Sequence, residues 1–559
     1  MKTIKALLFL LLVLAGSSCK KDFLQRDVGL QTTLKDIFGD PLQASRYADN
    51  TYTYSINDYG RLDGYKGMTA QFADEAISNN AQPQVAAMNK GLFLDASATD
   101  VVSIYTQMYR GIRNANTTLA NMGSTPWTAD YNPDLIKGEQ LYLRAYFYFE
   151  LLKRFGGVIL LTEAQEFTEA AADLPRNSFD EVLARILSDL EEAKGLLPLT
   201  NDDWPNPAAQ ANRATGAAAM ALKVRALMLA ASPLHNQGND KEKWKRAADA
   251  AKDIINLNKF SLHPDYATLL TVPTSPEYIR IWPRGGRGFI GTYISDFLVP
   301  TSFGGAQANL SVTQNHVDLY EMKNGLAIGD AASGYNSQNP YVNRDPRFYV
   351  NVLYNGTTWQ GRAVQTWQSE PNAQGGITYG TDISAAIPFT KTSYYIKRLW
   401  PETSKSGSTA SALLNYVFYR YAEVLLNYAE ALNEAGEAVP DPEVKAKVDM
   451  IRVRAGMPPL PDNLTQSQMR NRIHNERAVE FAFEDMRWWD ILRWKKGPEI
   501  VAQPTKGMKV IKNASGTFSY NVVELPNFKK VFEDHMHLYP IPQAEINKSS
   551  GKVVQTEGW

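Results

Sequence analysis

Residues 132–157 read NPDLIKGEQLYLRAYFYFELLKRFGG. Asn132 can cap a helix, Pro133 suits its first position, and Asp134 complements the positive helix end. Leu141, Ala145, Tyr148, Leu152 and Phe155 then recur at helical spacing, and Gly156-Gly157 ends the run. After a short loop, Ser178 and Glu181 form a capping-box pattern, followed by Leu183, Ile186, Leu187 and Leu190. The two runs predict a helical hairpin. The plan returns at 216–231 with 240–257, and at 417–435 with 442–454, where Asp441 caps and Pro442 opens the last helix. A lone hairpin cannot bury its apolar side, whereas stacked neighbours bury it together. The predicted fold is therefore mainly α, a stack of TPR-like helical hairpins longer and less regular than a strict tetratricopeptide array. A further helix is expected over 99–122, and a last one over 465–485.

Between the second and third hairpins, residues 261–415 change character. Gly, Pro, Ser, Thr and aromatic residues dominate and helical periodicity is lost. This reads as an irregular insert of loops and short strands, with 349–354 and 394–399 as strand candidates. The chain divides into a leader over 1–18, an N-terminal segment over 19–40, a first scaffold part over 41–260, the insert over 261–415, a second scaffold part over 416–496, and a loop and short-strand tail over 497–559.

The leader has three parts: Lys2 and Lys5, the apolar run Ala6–Ala15, and small Gly16, Ser17 and Ser18. That is the layout of a secretory signal. Cys19 follows at once and is the only cysteine of the 559 residues, so an exported chain has no internal disulfide partner for it. Its position points to lipidation, in a pattern similar to a bacterial lipoprotein signal. Acyl chains contribute roughly 0.8 kcal/mol per buried methylene, and two or three hold a protein on a membrane. With 58 basic and 59 acidic residues, the charge balance offers nucleic acid nothing to bind.

No catalytic constellation stands out. Glu476, Glu480 and Glu484 lie four apart among Arg472, Arg477 and Arg487. Paired carboxylates can cleave a glycosidic bond, but interleaved arginines keep them ionised and favour a structural network. Asp490 with Arg493 reads alike. His535 and His537 would share a face on a strand, without a third ligand, and Asp330, Asp345 and Asp382 form no EF-hand loop. No metal and no cofactor is expected. The Gly-rich run 283–288 lacks the end and context of a phosphate loop, leaving Arg284 as a hydrogen-bond donor to a ligand. Aromatic placement is more informative. Trp282, Tyr293, Phe303, Trp359 and Trp367 fall in the insert, while Tyr59, Tyr65, Phe72 and Phe93 fall in or beside the loop region 58–99. A flat ring buries one face of a sugar, and side chains such as Asn79 or Arg284 bond its hydroxyl rim. Trp282, Tyr293, Phe303, Trp359, Tyr65, Phe93, Asn79 and Arg284 are thus the candidate ligand contacts, weighed against the alternative that each ring packs the insert's own core.

Four segments together resemble one family, the SusD/RagB outer-membrane lipoproteins. They are Leu143-Arg144-Ala145-Tyr146-Phe147 through Phe155-Gly156-Gly157-Val158; Tyr419-Arg420-Tyr421-Ala422-Glu423 with Ala429-Glu430-Ala431; Asn475-Glu476-Arg477 to Phe483-Glu484, then Arg487, Asp490 and Arg493-Trp494; and Leu538-Tyr539-Pro540-Ile541-Pro542 with Glu545-Ile546. Ile159 stands where that family usually has Pro, and Asp485 where it usually has Gly. The resemblance implies an α-rich TPR-like scaffold, a non-catalytic nutrient-binding face, and a partner, a SusC-like TonB-dependent transporter. It also implies an oligosaccharide ligand and an outer-membrane location through the lipid on Cys19. A peptide ligand, an α-rich hydrolase and a docking scaffold are the competing readings.

Overall fold

The computed structural model describes residues 32–59, 67–78, 90–91, 95–164, 174–283, 300–304, 310–385, 389–400, 414–436 and 441–559, with 87, 298 and 402 singly. The scaffold helices are α1 (Pro41–Asp49), α2 (Thr99–Asn121), α3 (Pro133–Phe155), α4 (Phe179–Leu196), α5 (Gly216–Ala231), α6 (Lys241–Asn256), α7 (Tyr421–Ala435), α8 (Pro442–Arg454), α9 (Gln466–Glu480) and α10 (Arg487–Arg493). From α2 to α8 each helix packs on the next in order, as a TPR-like stack requires.

The caps read from the sequence are present. Asn132 accepts from the Asp134 amide, Ser178 and Glu181 close a reciprocal box, and Asp441 accepts from the Glu443 amide. Gly156 ends α3 with a φ of +69°, a left-handed conformation that suits glycine. Gly157 lies against the backbone of Asn177 and Ser178, where a Cβ would collide. The sequence suggests one apolar face on α3. The structure buries every residue from Gly138 to Leu152, because α2 and α4 flank the helix on both sides. Fully burying each large apolar side chain contributes roughly 1.5–3 kcal/mol, which makes α3 the axis of the main core. Gly111 of α2 lets the two helices approach: a Cβ there would come within 2.7 Å of three atoms of the Phe147 ring.

α6 and α7 pack directly although the whole insert separates them. The excursion is closed at its base by an antiparallel pair, β2 (Tyr278–Trp282) with β9 (Tyr416–Arg420). Residues 416–420, mostly read as the start of a helix, are therefore extended, and α7 begins only at Tyr421 with Arg420 as its cap residue. β-Branched and aromatic side chains at Val417, Phe418 and Tyr419 suit a pleated, buried strand. The excursion's strands are short: β3 (Leu310–Val312) pairs β1 (Ala76–Ser78) of the early loop region, β4 (Val352–Leu353) pairs β8 (Tyr395–Ile396), and β5 (Thr358–Trp359) pairs β6 (Arg362–Ala363). The strand expected over 349–354 is instead a one-turn helix, Pro346–Asn351, running into β4. In the tail, β10 (Lys506–Lys512) and β11 (Phe518–Glu524) form a hairpin, and β10 also pairs in parallel with β7 (Trp367–Ser369). The insert and tail share a second core around Tyr320, Phe348, Tyr394, Ile396 and Val510.

Candidate functional site

The β2–β9 neck brings together the two regions that carry the candidate rings. Trp282 lies opposite Tyr416 in the ladder. The Tyr416 ring is 4.7 Å from that of Tyr59, whose hydroxyl accepts a hydrogen bond of 3.1 Å from the Val417 amide. Tyr59 ends the first described segment, 32–59, and Trp282 stands next to Pro283, which ends the segment 174–283. Trp282 and Tyr416 are half-buried and Tyr59 is buried. Cys19, Tyr65, Asn79, Phe93, Arg284 and Tyr293 lie outside the described residues. Tyr416 carries no sequence signal of a site, since its aromatic neighbours read as helix.

Phe303 is half-buried on the insert surface, and the Arg362 guanidinium lies over its ring at 3.6 Å. The buried Asp382 grips Arg362 in two-point fashion at 2.7 and 2.8 Å, and Ser302 also donates to Asp382. Such a fork holds the guanidinium flat without a rotamer search, leaving a phenyl–guanidinium layer at the surface. Trp359 is a correction. It is only 3% exposed and packs with Leu353, Val364, Tyr395 and Trp400 in a small separate core, with Lys397 over its ring at 5.0 Å. Nothing can stack on an indole covered on these sides. Phe72 and Tyr59 are core residues as well. Trp367 is half-buried on the sheet, with the Lys512 ammonium 4.5 Å from its ring.

An 80 Å³ cavity shares Tyr416, Val417 and Phe418 with the neck and is otherwise lined by residues such as Tyr146, Phe149, Lys153, Met228 and Trp489. It has room for a few waters and not for a sugar ring. Lys153 sits over the Trp489 ring at 4.3 Å and pairs with Glu150 at 2.8 Å. Burial pushes its ammonium down and Glu150 opposes this, leaving it at about 7.

The profile of the SusD family matches residues 282–559, and a second profile, described as "Starch-binding associating with outer membrane", matches residues 50–226. The chain belongs to the SusD family. It is 26% identical over 481 residues to SusD-like protein P2 of Formosa agariphila, covering 82% of this chain and 81% of that protein. A SusD-like protein of Bacteroides ovatus is 24% identical over 367 residues, covering 64% of this chain and 58% of that protein. Among solved structures, a SusD-like protein of Bacteroides fragilis superposes with a TM-score of 0.75 at 25% identity, covering 95% of this chain and 100% of that one. A SusD-like carbohydrate-binding protein of the same species gives 0.75 at 22% identity, with 92% and 99% covered.

The segments that carry the SusD resemblance build the scaffold. Arg144 of α3 makes two hydrogen bonds, 2.7 and 2.8 Å, to the buried Asp189 of α4, and a third to Asn116 of α2. One guanidinium thus pins three helices. The C-terminal carboxylates are paired, as expected, but with other arginines. Glu480 receives Arg347, Arg420 and Arg454; Glu476 receives Arg347 and Arg452; Glu484 receives Arg398 and Arg420. Arg472, Arg477 and Arg487 go instead to Glu321, Asp490 and Asp74. Burial alone would push the Glu480 carboxyl up, yet Arg454, Arg420 and Arg347 bring it down to about 2. A carboxyl held so low is no general acid at neutral pH. Asp490 bonds Arg493 as well as Arg477. Asp485 has a φ of +64°, which explains the family's usual Gly there, and Asp tolerates it better than a branched side chain would. His535 and His537 lie on a 3₁₀ turn, Asp534–His537, and not on a strand. The His537 Nδ1 lies 2.7 Å from the Asp534 carbonyl. Among the described residues no group of three or more His, Cys, Asp and Glu side chains is placed to hold a metal ion.

Proposed function

We propose that this SusD-family chain is a lipid-anchored protein of the outer-membrane surface that binds an oligosaccharide and delivers it, chemically unchanged, to a SusC-like TonB-dependent transporter. The observation that carries the reading is the match of residues 50–226 to a profile described as starch-binding and outer-membrane-associated. Four features support it. Trp282 and Tyr416, both half-buried, lie opposite each other in the ladder at the base of the insert. The phenyl–guanidinium layer of Phe303 and Arg362 offers a second flat, polar-edged surface. The paired carboxylates of α9 leave no acid and base poised across a bond. Cys19 at the end of a secretory leader supplies the anchor.

Calorimetry against plant, host and microbial polysaccharides tests the reading. Saturable heat with one glycan class and no release of reducing ends is the expected result. Release of reducing ends would overturn the non-catalytic assignment. Binding of peptides with no glycan binding would overturn the ligand class.

A further inference from the structure

A groove of about 580 Å³ opens elsewhere on the molecule, between α9, the turn after Gln314–Val317, and the segment 494–506. No residue lines both this groove and the cavity beside the neck. Its volume falls within the range of small-ligand sites, roughly 300–1,000 Å³. On its wall the His474 ring stacks on Trp494 with centroids 3.5 Å apart and planes 14° from parallel. The Trp494 Nε1 donates to the buried Glu430 at 2.8 Å, which fixes the indole and so the imidazole on it. Burial lowers the His474 pKa to about 3, so the ring is neutral and carries one donor and one acceptor at neutral pH. Neither His474 nitrogen has a hydrogen-bond partner among the described residues, and the same is true of the Asn471 and Gln503 amides.

The charges of the groove nearly cancel. Arg487 is taken by Asp74 and Lys496 by Glu499, leaving Lys506 against Asp318 and Glu524. A strongly anionic or cationic ligand gains little there. A neutral ligand rich in paired donors and acceptors gains most, because each hydroxyl can both give and accept. We infer that this groove is a second carbohydrate site, in which a neutral sugar lies against the His474 imidazole and is held at its rim by Asn471 and Gln503. The inference rests on the proposed glycan ligand for its chemical class but not on the neck or the insert loops.

The chain has six histidines, so the ¹³Cε1–¹H signals of the whole protein form a sparse set. His474→Gln assigns the one that matters. Titration with maltoheptaose, cellohexaose, xylohexaose and mannohexaose, each to 20 mM, should shift that signal saturably with at least one of them. In the exposed double variant Asn471→Ala with Gln503→Ala, the midpoint of that shift should rise at least fivefold, while Trp282→Ala leaves it unchanged. No shift with any of the four sugars overturns the site, as does an unchanged midpoint in the double variant. Calorimetric heat without a His474 shift sinks the second site alone and leaves the proposed function standing. A His474 shift without heat sensitive to Trp282→Ala does the reverse for the neck.

Discussion

Glu480→Gln removes one negative charge from a site where three guanidiniums converge. Arg347 approaches at 3.0 Å, Arg420 at 2.7 Å and Arg454 at 2.5 Å, and the carboxylate is fully buried. The folded carboxyl titrates at about 2 against a usual 4.5, and at roughly 1.4 kcal/mol per unit that is on the order of 3 kcal/mol. Breaking a buried ion pair by removing one partner costs about 3–5 kcal/mol, the same size. With an unfolding entropy of roughly 2.1 cal/mol/K per residue over 559 residues, 1 kcal/mol shifts Tm by about 1 °C. The variant should therefore melt about 3–4 °C below wild type at pH 7. The sign with pH follows from the lowered pKa. The stabilisation is complete above the unfolded value near 4.5 and is lost as pH falls through about 2. Differential scanning fluorimetry from pH 7 to pH 2.5 should show the gap closing on acidification. A gap below 1 °C at pH 7, or one that widens towards pH 3, would refute the reasoning.

Other outcomes follow from the same structure. Asp189→Ala leaves Arg144 buried without its carboxylate and should cost about 3–5 kcal/mol, read as a lower denaturant midpoint with unchanged slope. Gly111→Val drives a side chain into the Phe147 ring and should destabilise by roughly 1–3 kcal/mol, again by denaturant melt. Trp282→Ala should weaken glycan binding about tenfold, equivalent to about 1.4 kcal/mol, with helical circular dichroism unchanged; Trp282→Ala with Tyr293→Ala should weaken it further, and equal affinity would remove both from the site. Cys19→Ser should move the protein from the membrane fraction to the soluble one, whereas sedimentation with membranes would mean another anchor.

The stack was legible because its signals are local. Asn132, Ser178 and Asp441 announce helix starts within three residues of the groups they cap, and the apolar spacing spans single helices. The neck was not legible, since Tyr416 and Trp282 meet across more than a hundred residues of chain and Val417–Tyr419 satisfy a helical face and a strand equally well. The ion network shows the same limit. Its carboxylates are identifiable, but Arg347 and Arg420 lie 133 and 60 positions from Glu480, so the sequence points to nearer arginines as partners. Among the candidate rings, sequence places Trp282, Phe303 and Trp359 alike in an irregular segment. Only packing separates the half-buried pair from the indole sealed beside Trp400. The stacked His474 was missed because Trp494 sits twenty positions away, on what reads as an unrelated helix end.

The neck also bears on how such a chain can change over generations. Because β2 and β9 run side by side, everything spliced between them departs from and returns to one spot on a helical pile that is already closed, α6 on α7. Lengthening or trimming its loops leaves the α6–α7 seam in place, so long as Arg347 and Arg398 still meet Glu480 and Glu484. Loop-closure entropy rises only slowly with added length, by about 0.6 kcal/mol per doubling. A descendant can thus acquire a new appetite by trading the cassette's loops while keeping the few arginines that tie it to the frame.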